Sequence, residues 1–115
     1  MSKSSNIKKE RYESLIKEII TDTITKEVYE PLIKLATIHY VNLSADKSIA
    51  KIYISHYDKN RIPVILNKMN SAASFFRKKL AESLNLRRTP SVIFLNDDTI
   101  DKFDEIETII KQLKE

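Results

Sequence analysis

Apolar side chains recur every three or four positions at the start of the chain and every second position in its middle. Tyr12, Leu15, Ile16, Ile19, Ile20 and Ile24 fall on one face of a helix predicted over residues 7–24. Asn6 is its expected N-cap and residues 1–6 its flexible lead-in. Tyr29-Glu30-Pro31 breaks that pattern. Alternation then predicts a strand over 33–43, with Leu35, Thr37, His39, Val41 and Leu43 on one side and Ala36, Ile38, Tyr40 and Asn42 on the other. Ser44 to Ser48 is a polar turn. A second strand over 49–57 turns Ala50, Ile52 and Ile54 to one face, and so short a connection predicts an antiparallel hairpin.

Asp58-Lys59-Asn60 ends the hairpin, and Pro63 suits the first turn of the helix that follows. Ile62, Ile65, Leu66 and Met69 form the buried stripe of that helix. The small residues Ser71 to Ser74 interrupt it, and Phe76, Leu80 and Leu84 resume the stripe in another helix. Pro90 stops the next loop. Val92-Ile93-Phe94-Leu95 is an apolar run of the kind found in a strand covered on both faces. Ile100, Phe103, Ile106, Ile109, Ile110 and Leu113 predict a final helix over 99–113. A crossover of more than 20 residues makes the last strand parallel to the second. The expected fold is therefore α+β, in the order α-β-β-α-(kink)-α-β-α, a three-stranded mixed sheet with helices on one face. This is the element order of the type II KH fold with an added helix, and residues 1–115 are expected to form one such domain.

Composition excludes much chemistry. The chain has no cysteine, so disulfides, iron–sulfur clusters and thiolate zinc sites are ruled out. It also has no glycine, where roughly eight are expected at a usual frequency of about 7%. A Walker loop, a dinucleotide fingerprint and the Gly-x-x-Gly clamp of ordinary KH domains all go with it. No apolar run approaches the roughly 20 residues of a membrane span, and no signal-peptide core follows Met1. A cytoplasmic protein without cofactor, metal or membrane partner is expected. His39 and His56 read as sheet histidines rather than ligands, and Asp97, Asp98, Asp101, Asp104 and Glu105 as helix-capping and first-turn acids.

Charge is unevenly placed. Residues 1–96 hold 17 Lys and Arg against 9 Asp and Glu, a net +8, whereas residues 97–115 hold 3 against 7, a net −4. Five of the cations, Arg77, Lys78, Lys79, Arg87 and Arg88, lie within a dozen residues at the joints between elements. A rigid scaffold presents charge best from such joints, so an anionic partner, RNA foremost, is expected there. Arginine adds a planar fork that matches phosphate, where lysine offers a point charge. Lys8, Lys9, Arg11, Arg61 and Lys68 are further candidates for RNA contact. Arg77 could instead cover apolar surface with its stem, and Arg87 could hold carbonyls at the end of its helix. Phe75, Phe76, Tyr40 and Tyr53 are expected to pack in the core or on the sheet rather than stack on bases.

The order and spacing of several short pieces resemble the ribosome-binding factor A family. They are Ala50-Lys51-Ile52-Tyr53-Ile54-Ser55, Leu66-Asn67-Lys68, Phe75-Phe76-Arg77 with Leu80, and Leu86-Arg87-Arg88-Thr89-Pro90 followed by Phe94 and Asp98. The resemblance covers nearly the whole chain. It implies a KH-like fold whose Gly-x-x-Gly is replaced by an Ala-x-Gly helix-kink-helix, here Ala72-Ala73-Ser74 with Ser in the glycine position. Phe103 likewise stands where the family commonly has glycine. The implied function is that of a monomeric, non-enzymatic assembly factor. It would bind the immature 30S subunit at 16S rRNA and assist late maturation. The alternative from another class is a protein-interaction module docking on a ribosomal protein or an assembly GTPase.

Overall fold

The computed structural model describes residues 2–97. Helix α1 spans Ser2–Glu27, α2 Pro31–Lys34, β1 Thr37–Leu43, β2 Ile49–Ser55, α3 Ile62–Ser71, α4 Ala73–Ser83 and β3 Ser91–Asn96, with a 3-10 turn at Lys59–Arg61 before α3. The sheet order is β1-β2-β3, with β1 antiparallel and β3 parallel to β2. Helix α1 packs on β1, whereas α3 and α4 pack on β3. The core lies between these helices and one face of the sheet. The predicted helix over 99–113, with Phe103 and the acids from Asp98 onward, lies outside the described residues.

The buried side of α1 is Ile16, Ile20, Thr23 and Ile24, while Leu15 at its margin is exposed. The helix runs three residues past Ile24, and it begins at Ser2, so Asn6 lies inside it rather than capping it. Across the sheet the inward rows are Leu43–Ala50–Val92 and Val41–Ile52–Phe94, with Ile38 beside Ile54. Phe76 of α4 meets Phe94 edge-on at 5.1 Å between ring centroids. Each such fully buried side chain contributes about 1.5–3 kcal/mol.

Three expectations about the strands are corrected. Residues 31–34 form a helical turn opened by Pro31, so β1 starts at Thr37 rather than Ile33. Within β1 the register shifts between Ile38 and Tyr40, leaving His39 as the extra residue of a bulge. A bulge reverses the alternation on one side of itself. Ile38 therefore joins Val41 and Leu43 in the core, while Thr37 and His39 face outward. Finally, β3 is covered on one face only, since Ile93 is 38% exposed.

Helix side chains cover the unpaired backbone at both sheet edges. The Glu13 carboxylate accepts the Leu43 N–H at 2.8 Å on the β1 edge. On the β3 edge the Asn70 amide accepts the Phe94 N–H at 2.8 Å and donates to the Phe94 carbonyl at 3.1 Å. Exposed strand edges recruit other strands, so each bond also blunts a site of misassociation.

Candidate nucleic-acid interface

The break between α3 and α4 falls at Ala72, which leaves the helical region (φ −99°, ψ 14°) and lets its N–H reach back to Met69 and Asn70. Ala72 is half-buried against the core. Ser74 lies in the first turn of α4 and makes no capping hydrogen bond. The kink is thus made by an alanine side chain small enough to sit at the junction.

From that break, α4 turns Phe76 and Leu80 inward. At 100° per residue, Arg77 and Lys79 must flank this stripe on opposite sides, and Lys78 must point away from it. Arg77 reaches the loop before β3, donating from Nη2 to the Thr89 carbonyl at 3.0 Å and from Nε at 3.4 Å. So Arg77, not Arg87, holds a carbonyl here. Lys79 reaches the other way. Its ammonium lies 2.6 Å from Glu27 and 3.6 Å from Glu82, and 5.6 Å from the Phe75 ring centroid. The hydrogen bond to Glu27 raises its pKa further above the usual lysine value. Lys79 is a structural cation.

Residues 84–90 owe their path to alternating burial. Leu84 and Pro90 are buried and Leu86 is half-buried, so Asn85, Arg87 and Arg88 face solvent. Arg87 and Arg88 make no hydrogen bond or ion pair among the described residues, nor do Lys8, Arg11 and Lys78. The remaining candidates are engaged: Lys9 with Glu13 at 3.9 Å, Arg61 with Asp58 at 3.2 Å and Lys68 with Glu30 at 3.7 Å. A shallow cleft of about 360 Å³ runs between Ser74, Arg77, Lys78, Ala81 and Thr89. A second, about 640 Å³, opens between Arg87 and Arg88 and the hairpin turn, where Asp46, Lys47 and Ser48 line it.

Lys47 is the cation that sequence reasoning missed. It lies 40 positions before Arg87, and no local pattern joins a hairpin turn to a loop so distant in sequence. The Ser91 N–H bond to the Ser48 carbonyl, at 2.9 Å, makes that connection.

The aromatics divide as their burial dictates. Phe76 is core; Phe75, at the surface, lies edge-on to it at 5.4 Å. Tyr40 and Tyr53 pair at 5.6 Å on the open side of the sheet. His39, set outward by the bulge, has its Nδ1 3.1 Å from the Asp97 carboxylate. His56 is buried, its Nδ1 accepting the Asp58 N–H at 3.0 Å.

A mixed three-stranded sheet backed by helices on one face, with a small-residue break ahead of a basic loop, defines a KH-like α+β domain with one cationic end. The family model described as Ribosome-binding factor A matches residues 8–110, and the chain belongs to that family. Ribosome-binding factor A of Malacoplasma penetrans is 58% identical over 114 residues, covering 99% of this chain and 98% of that protein. The crystal structure of the Thermus thermophilus factor superposes with a TM-score of 0.69 at 25% identity, over 76% of this chain and 94% of that one. Coordinates of the same Thermus factor, a homology model fitted into a cryo-EM map of a 30S complex, give a TM-score of 0.60 at 24% identity. They cover 72% of this chain and 88% of that one, a likeness of fold alone.

Proposed function

We propose that this protein is a 30S assembly factor that binds the immature small subunit through 16S rRNA and assists its late maturation. The observation that carries this reading is the group formed by Lys78, Arg87 and Arg88. Their charges are not neutralised among the described residues; Arg87 and Arg88 lie in a loop that Arg77 fixes to α4, and Lys78 follows Arg77 on that helix. Cations held on rigid elements and left without acidic partners are suited to phosphate, whose condensed counterions they displace on binding. Family membership and the 30S complex of the Thermus relative support the choice of partner. In this reading the protein acts in the cytoplasm, as a monomeric binding factor rather than an enzyme.

The test is sedimentation of the protein with separated ribosomal particles through sucrose at stepped salt. Recovery with free 30S subunits, weakening as salt rises, is expected. Equal recovery with 50S subunits, or recovery indifferent to salt, refutes the proposal.

A further inference from the structure

We infer that the cleft between the hairpin turn and the Arg87–Arg88 loop is a clamp for one RNA backbone phosphate, with Lys47 as its third cation. The inference rests on the RNA reading above and deepens it.

Lys47 occupies the left-handed region, with φ of 61°, which side chains other than glycine and asparagine seldom adopt. The turn holds it there. The Asp46 carboxylate accepts from the Ser48 N–H at 3.0 Å and from the hydroxyls of Ser44 and Ser48 at 2.8 and 2.7 Å. The Ser44 hydroxyl accepts the N–H groups of Ser48 and Ile49. Lys47 itself donates its N–H to the Ser44 carbonyl at 2.8 Å. An asparagine would suit this backbone better and needs no such support.

The lysine ammonium has no acidic partner among the described residues and lies 5.7 Å from the Tyr12 ring centroid. An aromatic face directs a cation without neutralising it. The one carboxylate residue lining the cleft, Asp46, accepts three hydrogen bonds within the turn through a single oxygen and forms no ion pair among the described residues. Lys47, Arg87 and Arg88 together line a cleft of about 640 Å³. Its two walls are fixed by the Ser91–Ser48 bond and by the buried Pro90. No aromatic ring lines it, so it offers bases no stacking surface. What fits is the charge and shape of a phosphodiester, without regard to sequence.

Lys47→Gly and Lys47→Asn remove the charge while suiting the backbone, so both should fold at least as well as the parent by thermal melt. Binding to purified 30S subunits and to 12-nucleotide uridine and adenosine homopolymers would be measured from 50 to 300 mM salt. Each variant should lose about three- to tenfold in affinity near physiological salt and about 0.7–0.9 of salt slope, to the same extent on both homopolymers. Lys78→Ala serves as the reference. Weakening by Lys78→Ala with unchanged binding by folded Lys47 variants overturns the clamp and leaves the RNA reading standing. A loss confined to one homopolymer also overturns it. A parent that binds 30S without salt dependence overturns both.

Discussion

Replacing Asn70 with alanine removes both hydrogen bonds that cover the Phe94 peptide on the β3 edge. The two bonds, at 2.8 and 3.1 Å, are partly buried. A net contribution of about 0.5–1.5 kcal/mol each gives about 1–3 kcal/mol. The lower half of that range, about 1–2 kcal/mol, applies because Asn70 lies at the surface and water can reach the opened edge. With a urea m-value of about 1.5 kcal/mol/M, the unfolding midpoint should fall by about 0.7–1.3 M. Asn70→Asp sharpens the test. It keeps an acceptor for the Phe94 N–H but sets a carboxylate oxygen against the Phe94 carbonyl. At pH 7 it should therefore be no more stable than Asn70→Ala. Protonation below about pH 4 supplies an O–H donor and should lift it above the alanine variant. A loss of under about 0.3 kcal/mol for Asn70→Ala, with parallel pH profiles for the two variants, would show that the amide is not what covers this edge.

Hydrogen bonds from Ser48 and Ser44 lower the Asp46 carboxyl from its usual 3.8 to about 2, so its ionised form favours the folded turn. That stability is complete above about pH 4 and is lost as pH falls toward 2, so the gap in urea midpoint between parent and Asp46→Ala should close over this window; a constant gap refutes it. At the kink, Ala72→Leu should cost about 1–3 kcal/mol by overpacking a half-buried junction. Ser74→Gly, exposed in the first turn of α4, should cost under about 1 kcal/mol in the same urea titration. Equal stability of Ala72→Leu and parent would mean the helix tolerates bulk where it bends. Adjacent lysines should separate in 30S binding: Lys78→Ala lowers the salt slope by about 0.7–0.9 and Lys79→Ala leaves it unchanged, because Glu27 and Glu82 already hold Lys79. Equal slopes for the two variants would refute the assignment.

Periodicity located every described helix of three turns or more and all three strands, because burial of one face is written directly into spacing. Ala50, Ile52 and Ile54 were legible for that reason, as were Phe76 and Leu80. Strand β1 was misread on one side because a bulge adds a residue without altering hydrophobicity: His39 looks like any alternating position until its partner strand is known. The short α2 was hidden in an apolar run that suits helix and strand equally. For the cationic end, local charge density pointed to Arg87 and Arg88 but could not tell Lys78 from Lys79. Their difference depends on Glu27, which is 52 positions away. Lys47, Asn70 and Glu13 escaped for the same reason, since each acts through a partner distant in sequence.

The parallel pairing of β2 with β3 bears on the order in which the molecule assembles. Hairpin partners are separated by 7 residues at Leu43–Ala50 and by 18 at Thr37–Ser55, whereas Ile49 and Ser91 are 42 apart. Closing the longer loop carries the greater entropic cost, so β3 is the last strand to join. Residues 2–55, holding α1 and the hairpin, leave the ribosome well before it. Yet the Arg77–Thr89 bond and both walls of the larger cleft exist only once β3 has docked. A chain made only as far as α4 thus carries the cations of α1 and α4 without the geometry that concentrates them. On the RNA reading proposed above, competence to grip a polyanion at this cleft arrives only with the docking of β3.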